Sequence, residues 1–300
     1  MIQRLSNYTL PIAIGTGFLF HSFFARLNSW MPGLIFVMLY FTLNSLNMRT
    51  MKIKAIHLFI LLFQIVVSLA VYFLLLPSSP VLAQGAMVLV MIPTATSAPV
   101  VAGMLGADLS TMVASTLLTN LALALIAPLY LSFVGEQAGL SFLQSFGIVL
   151  SKVAPLMIVP LLLALFTQRF LPRITTFLVR RKSISFYIWA LCLTIVIGST
   201  IDSIFALDRS RLRLILWMAL ISMILCGIQF AFGRWIGARY GEKVAGGQSV
   251  GQKNTVLAIW LAQTYMAPVS SVLPAFYVLW QNLFNSYQIW QKQKENRAKG

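Results

Sequence analysis

Apolar runs of about 20 residues recur along the whole chain, separated by short polar turns such as LPSSP at 76–80 and GAD at 106–108. A run of that length matches the thickness of a bilayer's hydrocarbon core when wound as an α-helix. Backbone polar groups in hydrocarbon must be satisfied within the segment, so the runs read as helices. Composition agrees: 59% of the 300 residues are hydrophobic and 9% charged, with a mean hydropathy of +0.86. A soluble domain of this size would need far more polar surface. The runs predict ten spans, at about 8–24, 31–47, 55–76, 81–106, 109–133, 143–168, 184–203, 212–236, 242–264 and 268–290. The fold class expected is therefore an all-α polytopic membrane protein, one transmembrane unit with no soluble domain boundary.

Basic residues set the orientation, because Lys and Arg near span ends stay predominantly on the cytoplasmic side. With the N-terminus inside, 16 of the 22 basic residues fall in inner segments and 4 in outer ones, leaving Lys152 and Lys253 within spans. The expectation is a multi-pass protein of the cell inner (plasma) membrane with both termini cytoplasmic. A net charge of +16 would suggest nucleic acid in a soluble chain. Here it follows from the inside bias and from attraction to an anionic leaflet, so the bilayer is the expected partner and nucleic acid is not. The tail QKQKENRAKG at 291–300 reads as a solvated basic anchor, and the N-terminal run, which lacks a small-residue cleavage site, as a retained first span.

No nucleophile motif, phosphate-binding loop or zinc signature is present, so an enzyme is not expected and no cofactor is called for. Cys192 and Cys226 lie in separate apolar runs and read as small buried hydrophobes. His21 and His57 fall near span ends, where packed or water-facing roles outnumber ligation. A passive channel would place polar residues along one face of several spans, whereas polarity here concentrates in two places.

Those two places are the fourth and ninth spans. In VLAQGAMVLVMIPTATSAPVVAGMLGAD, Pro93 and Pro99 bracket the run from Thr94 to Ala98. Each proline removes a backbone donor and clashes with the preceding turn, which predicts an unwound middle. In GEKVAGGQSVGQKNTVLAIWLAQTY, Gly246, Gly247 and Gly251 are poor helix formers amid clustered polar residues, and a second interruption is expected there. The fourth span of the first five and the fourth of the second five are thus both broken. Matching interruptions in two halves predict an inverted-repeat secondary transporter, with repeats at about 1–135 and 140–292 and its site where the broken helices cross.

The residues at these positions resemble the bile acid:sodium symporter family and its bacterial relatives. SVGQKN at 249–254 resembles that family's E-x-G-x-Q-N crossover motif. IPTATSAPVVAGMLGAD at 92–108 resembles its P-G-G-T-A-S-N run, with Asp108 at the closing aspartate. APVSSVLPAFYVLWQN at 267–282 resembles its tenth-span pattern of A-P, P and W-x-N. The resemblance covers nearly the whole chain. It implies ten helices, a panel domain from spans 1, 2, 6 and 7, and a core domain from spans 3, 4, 5, 8, 9 and 10. It also implies alternating-access transport of an organic anion, either bile-acid-like or a small carboxylate.

Carried over residue by residue, the resemblance assigns substrate contacts to Thr96, Ser97, Asn254, Asn282 and Lys253, with half-helix N-termini near Pro99 and Asn254 adding backbone donors. The sodium ligands are mostly replaced. The acidic residue serving both ions falls on Ser249, the crossover glutamine on Lys253, a Ser-Asn pair on Ala98 and Pro99, and a fifth-span hydroxyl on Met112, while Gln64 and Thr116 match. The ion site, or its substitute, is thus expected from Lys253, Ser249, Gln64, Thr116 and Gln252. None of the six acidic residues, Asp108, Glu136, Asp202, Asp208, Glu242 and Glu295, lies at the centre of a predicted span. A lysine at membrane depth costs roughly 2.5–3.5 kcal/mol on insertion scales, so Lys253 needs a partner or a cavity. The expectation is that its ammonium replaces a sodium ion near the Gln64 side-chain oxygen and unwound carbonyls, and supplies positive charge to an anion. Sodium coupling through backbone ligands, or a proton-linked or exchange carrier of the wider superfamily, stays open as the alternative. Lys152, about ten residues into the sixth span, is read as snorkelling to the interface, with substrate contact as the other possibility.

Overall fold

The computed structural model describes residues 2–46, 51–95, 97–134, 141–181, 183–206 and 212–299. In chain order the helices are α1 Ile2–Leu19, α2 His21–Arg26, α3 Met31–Ser45, α4 Ala55–Leu62, α5 Ser68–Leu75, α6 Pro80–Met91, α7 Ala98–Met104 and α8 Leu109–Val134. There follow α9 Phe142–Phe170, α10 Pro172–Arg180, α11 Ser183–Phe205, α12 Leu212–Arg239, α13 Lys243–Gly251, α14 Thr255–Tyr265 and α15 Val272–Lys299. Among the described residues there is no β-strand, only an isolated antiparallel bridge between Thr94 and Lys253.

Among the described residues, six helical stretches are long and apolar enough to cross a membrane: His21–Ser45, Ala55–Leu75, Leu109–Val134, Phe142–Phe170, Ile184–Phe205 and Leu212–Arg239. Their surfaces are inverted relative to a soluble protein. On the stretch from α4 to α5, Gln64 and Ser68 are buried while Val66 is 58% and Leu74 75% exposed. Apolar side chains that face outward along a helix whose polar groups face inward need a hydrocarbon solvent, and the chain is a multi-pass membrane protein.

The chain divides into two compact units. The first holds residues 1–46, 124–212 and 256–272, and so contains α1–α3 and α9–α11. Helix α11 is its centre, packed by α1, α2 and α3, with α9 against α3. Gly17 and Gly198 make the close approach of α1 to α11: a Cβ on Gly17 would lie 2.8 Å from Thr194 O. At one end His21 Nδ1 meets Asp202 Oδ1 at 2.8 Å, and Ser22 Oγ donates to the same oxygen at 3.0 Å. At the other end Gln168 Nε2 donates to the carbonyls of Leu43 and Leu46, each at 3.0 Å, satisfying groups left open where α3 stops.

The second unit, residues 47–123, 213–255 and 273–300, carries both helix interruptions. The first falls where the prolines place it, between Met91 and Ala98. The second lies at Gln252–Asn254, before the half-helix start expected near Asn254, but Gly246, Gly247 and Gly251, expected to weaken the helix, are helical within α13. The reason is packing: Gly246 lies directly against Gly233 and Gly237 of α12, and a Cβ there would stand 2.9 Å from Gly237 Cα. Gly251 likewise faces the Phe230 ring. Small residues at a membrane helix crossing allow the backbones to touch, which outweighs their poor helix propensity.

Beside the ends of these helices, Lys54 Nζ reaches Glu242 Oε1, Asp108 Oδ2 at 3.2 Å and Thr111 Oγ1 at 2.9 Å. The hydrogen bond to Glu242 is the chief reason that the Lys54 pKa is raised. Asp108 accepts from Ser110 Oγ and Ser110 N, then from Lys54 and Thr111, and its carboxyl is held well below the usual range.

Candidate functional site

Helix α6 opens on Ser79, whose hydroxyl accepts from Leu82 N, with Pro80 at the first turn. It cannot continue through Pro93, so its last carbonyls have no intrahelical partner. Lys253 supplies one. Its side chain is 1% exposed, and Nζ donates to Val90 O at 2.9 Å and to Ile92 O at 3.0 Å. The ammonium therefore sits at the negative end of the α6 dipole, where a cation is favoured.

The capping is reciprocal. Thr94, from the first break, donates through Oγ1 to Ser249 O at 2.7 Å, a carbonyl in the last turn of α13. Two backbone hydrogen bonds complete the bridge, Ala95 N to Gln252 O at 2.8 Å and Asn254 N to Pro93 O at 3.0 Å. Around them Lys253 N donates to Gln281 Oε1 at 2.9 Å, Thr94 N to Thr119 Oγ1 at 3.2 Å, and the Tyr277 hydroxyl to Gly251 O at 2.7 Å. Gln229 Nε2 donates in turn to the Tyr277 oxygen at 3.2 Å, and Gln248 Nε2 to Asn285 Oδ1 at 3.0 Å. Buried non-helical backbone is tolerable only when its polar groups are met in this way.

Charge is unevenly served. Among the described residues, Asp108 and Glu242 hold Lys54, Asp202 holds His21 and Ser22, and Glu295 lies 3.7 Å from Lys292. Lys253 has no carboxylate partner among those residues; its acceptors are neutral carbonyls. When protonated, the amine has only carbonyl dipoles to meet its charge in a buried place, an arrangement that can attract an anion.

The remaining expected residues fall as follows. Gln64 lies in a π-helical turn, Phe63–Val67, and donates its Nε2 to Ile92 O at 3.3 Å. It thus shares a carbonyl with the ammonium, instead of offering it the side-chain oxygen that was expected. Ser249 is fully buried with Oγ 3.5 Å from Met112 Sδ, so its hydroxyl faces a thioether. Thr116 Oγ1 donates to Met112 O at 2.9 Å and Asn282 Nδ2 to Val278 O at 2.6 Å, each within its own helix. Gln252 Nε2 donates to the exposed Ser97 Oγ at 3.0 Å, and Gln252 Oε1 has no partner among the described residues. Asn254 is buried directly before α14, and Pro99 is in the first turn of α7. Thr96 lies outside the described residues. Lys152 is exposed on α9, in the first unit.

Sequence reading missed Thr94, Thr119, Gln281 and Tyr277. Two of them had a signal: Thr94 adjoins Pro93 in the polar run, and Gln281 sits inside the W-x-N pattern. Chemically, the residues brought together form a cation fixed by helix-end carbonyls, with amide and hydroxyl groups close by in the chain. No protein-family model matches the chain, and no curated protein matches it.

Proposed function

We propose that this chain is a secondary active transporter of an organic anion, bile-acid-like or a small carboxylate, working by alternating access. In this reading it has ten spans in two inverted five-helix repeats and belongs with the bile acid:sodium symporters. Spans 1, 2, 6 and 7 form a panel and the others a core, and both termini are on the cytoplasmic side of the cell membrane. One observation carries the reading: two helix interruptions from distant parts of the chain pair with each other, and a buried lysine fills the carbonyl cluster at one of them. Broken-helix ends with exposed carbonyls are where transporters seat coupling cations. Here the cation is covalently attached, so sodium is not required. The anion takes its counter-charge from Lys253, with Thr96, Ser97, Asn254 and Asn282 as polar contacts. At about 4 Å and an effective dielectric near 20 that attraction is on the order of 4 kcal/mol before desolvation.

The test is uptake of labelled bile acids and small carboxylates into vesicles containing the purified protein, in sodium and in choline media of equal ionic strength. Uptake is expected in both and is lost in Lys253→Ala. Uptake confined to sodium would overturn the tethered-cation part, and no uptake of any anion in either medium would overturn the transporter reading. Thermal unfolding in NaCl against choline chloride needs no substrate. No sodium-specific shift is expected, whereas a saturable rise would mean that the carbonyls bind sodium.

A further inference from the structure

Helix α10, Pro172–Arg180, joins two long apolar helices, α9 ending at Phe170 and α11 starting at Ser183. Its own sequence, PRITTFLVR, is sharply amphipathic. Ile174, Phe177 and Leu178 recur at i, i+3 and i+4, which places them on one face. Leu178 alone is buried, and α10 packs on α3 and α9. Ile174 remains 44% and Phe177 55% exposed, and Leu171, just before the helix, is exposed as well.

Arginines flank that uncovered strip. Arg173 and Arg180 are seven residues apart and so stack along one side, and the Arg181 guanidinium lies 5.4 Å from the centre of the Phe177 ring. Arg169, in the last turn of α9, adds a fourth positive charge. The sequence has no acidic residue between Glu136 and Asp202. Among the described residues, none of these arginines takes part in an ion pair. An apolar strip bordered by unpaired arginines, at the point where two membrane-crossing helices turn round, matches a surface that is hydrocarbon below and phosphate above.

We propose that α10 is an interfacial helix that lies along the bilayer surface and binds the phosphate headgroups of anionic phospholipid through Arg173, Arg180 and Arg181. Ile174 and Phe177 enter the acyl boundary beneath them. Arginine suits the role because its planar fork donates two parallel hydrogen bonds to phosphate oxygens. The inference rests on the chain being a membrane protein and not on what it transports.

The experiment is native mass measurement of the purified protein in detergent, titrated with phosphatidylglycerol or with phosphatidylcholine of the same acyl chains. Wild type is expected to retain phosphatidylglycerol preferentially. That preference should fall by about fivefold for each arginine removed in the series Arg173→Gln, Arg180→Gln, Arg181→Gln. The corresponding lysine variants should keep only the part that charge alone supplies, between wild type and the glutamine variants. Equal retention of the two lipids by wild type, or a preference that the triple glutamine variant leaves unchanged, would overturn the proposal. So would a doubled mass abolished by Phe177→Ser, which would make this face a contact between two copies. A spin label replacing Phe177 gives an independent reading in bilayer discs. It should be more accessible to oxygen than to a water-soluble nickel chelate, with the reverse at Thr176, and equal accessibility at both positions would sink the idea.

Discussion

Two lysines in the second unit do similar mechanical work under opposite electrostatic conditions. Lys54, at the start of α4, ties Asp108 to Glu242, so its charge is met by two carboxylates at a helix-end surface. Lys253 ties the end of α6 to the start of the α14 segment, and its charge is met by two carbonyl dipoles in a fully buried place. The first arrangement is complete in itself. The second satisfies the hydrogen bonds and leaves the charge, which is why Lys253 and not Lys54 is the candidate for function.

Substitutions can break that contrast. The largest effect is expected for Lys253→Ala, on the order of 100-fold or more in anion uptake, with Lys253→Arg retaining part of it. By the same argument Lys54→Met should leave uptake within a few-fold of wild type. Equal losses at both positions would erase the distinction. Next in size, Gly246→Leu forces α12 and α13 apart and should lower stability by about 1–3 kcal/mol or prevent folding, read as a drop in thermal midpoint. Thr94→Val removes the hydroxyl that caps Ser249 O and should cost about 1–3 kcal/mol, while Thr94→Ser should restore most of it. Smallest is Lys54→Met itself, at about 1 kcal/mol or less because the pair is partly exposed.

The Lys54 cluster also has a distinct pH signature. The raised Lys54 pKa means that its contribution is complete below the unfolded value of about 10.4 and fades as pH climbs through the folded one. The lowered Asp108 pKa means that its contribution is complete above about 4 and fades as pH falls towards the folded value. Thermal midpoints of wild type and Lys54→Met should therefore converge at both pH extremes and differ most between them. High salt should narrow the gap as well, since exposed pairs are screened.

Much of this architecture could be read from the residues because the signals were local. Helix-length apolar runs gave the long helices at 55–75, 109–134, 142–170, 184–205 and 212–239 to within a few residues. Pro93 and Pro99 located the first interruption through sterics that act within one turn. The second falls beside Asn254 as expected, but its glycines were misread as breakers because glycine has two roles, weakening a helix and admitting a neighbour, and only the facing glycines of α12 decide between them. The site was legible in part: Lys253 stood out as an unaccompanied charge at depth. Its acceptors did not, because backbone carbonyls carry no letter in the sequence. The π-helical turn that carries Gln64 and the Thr94 cap on α13 depend on contacts far apart in the chain, which no local pattern records.

Reciprocal capping also sets an order of events at the ribosome. Val90 is made 163 residues before Lys253, the side chain that satisfies its carbonyl. At about 5–20 residues per second that interval is on the order of ten to thirty seconds. Throughout it the Val90 carbonyl must find water, lipid headgroups or the insertion machinery, since hydrocarbon offers it no donor, whereas Ile92 O can already accept from Gln64. The first interruption therefore reaches its final form only after the second has been synthesised, and early truncation before residue 253 should leave a nascent chain whose α6–α7 segment is held at the insertion machinery instead of being released into the bilayer.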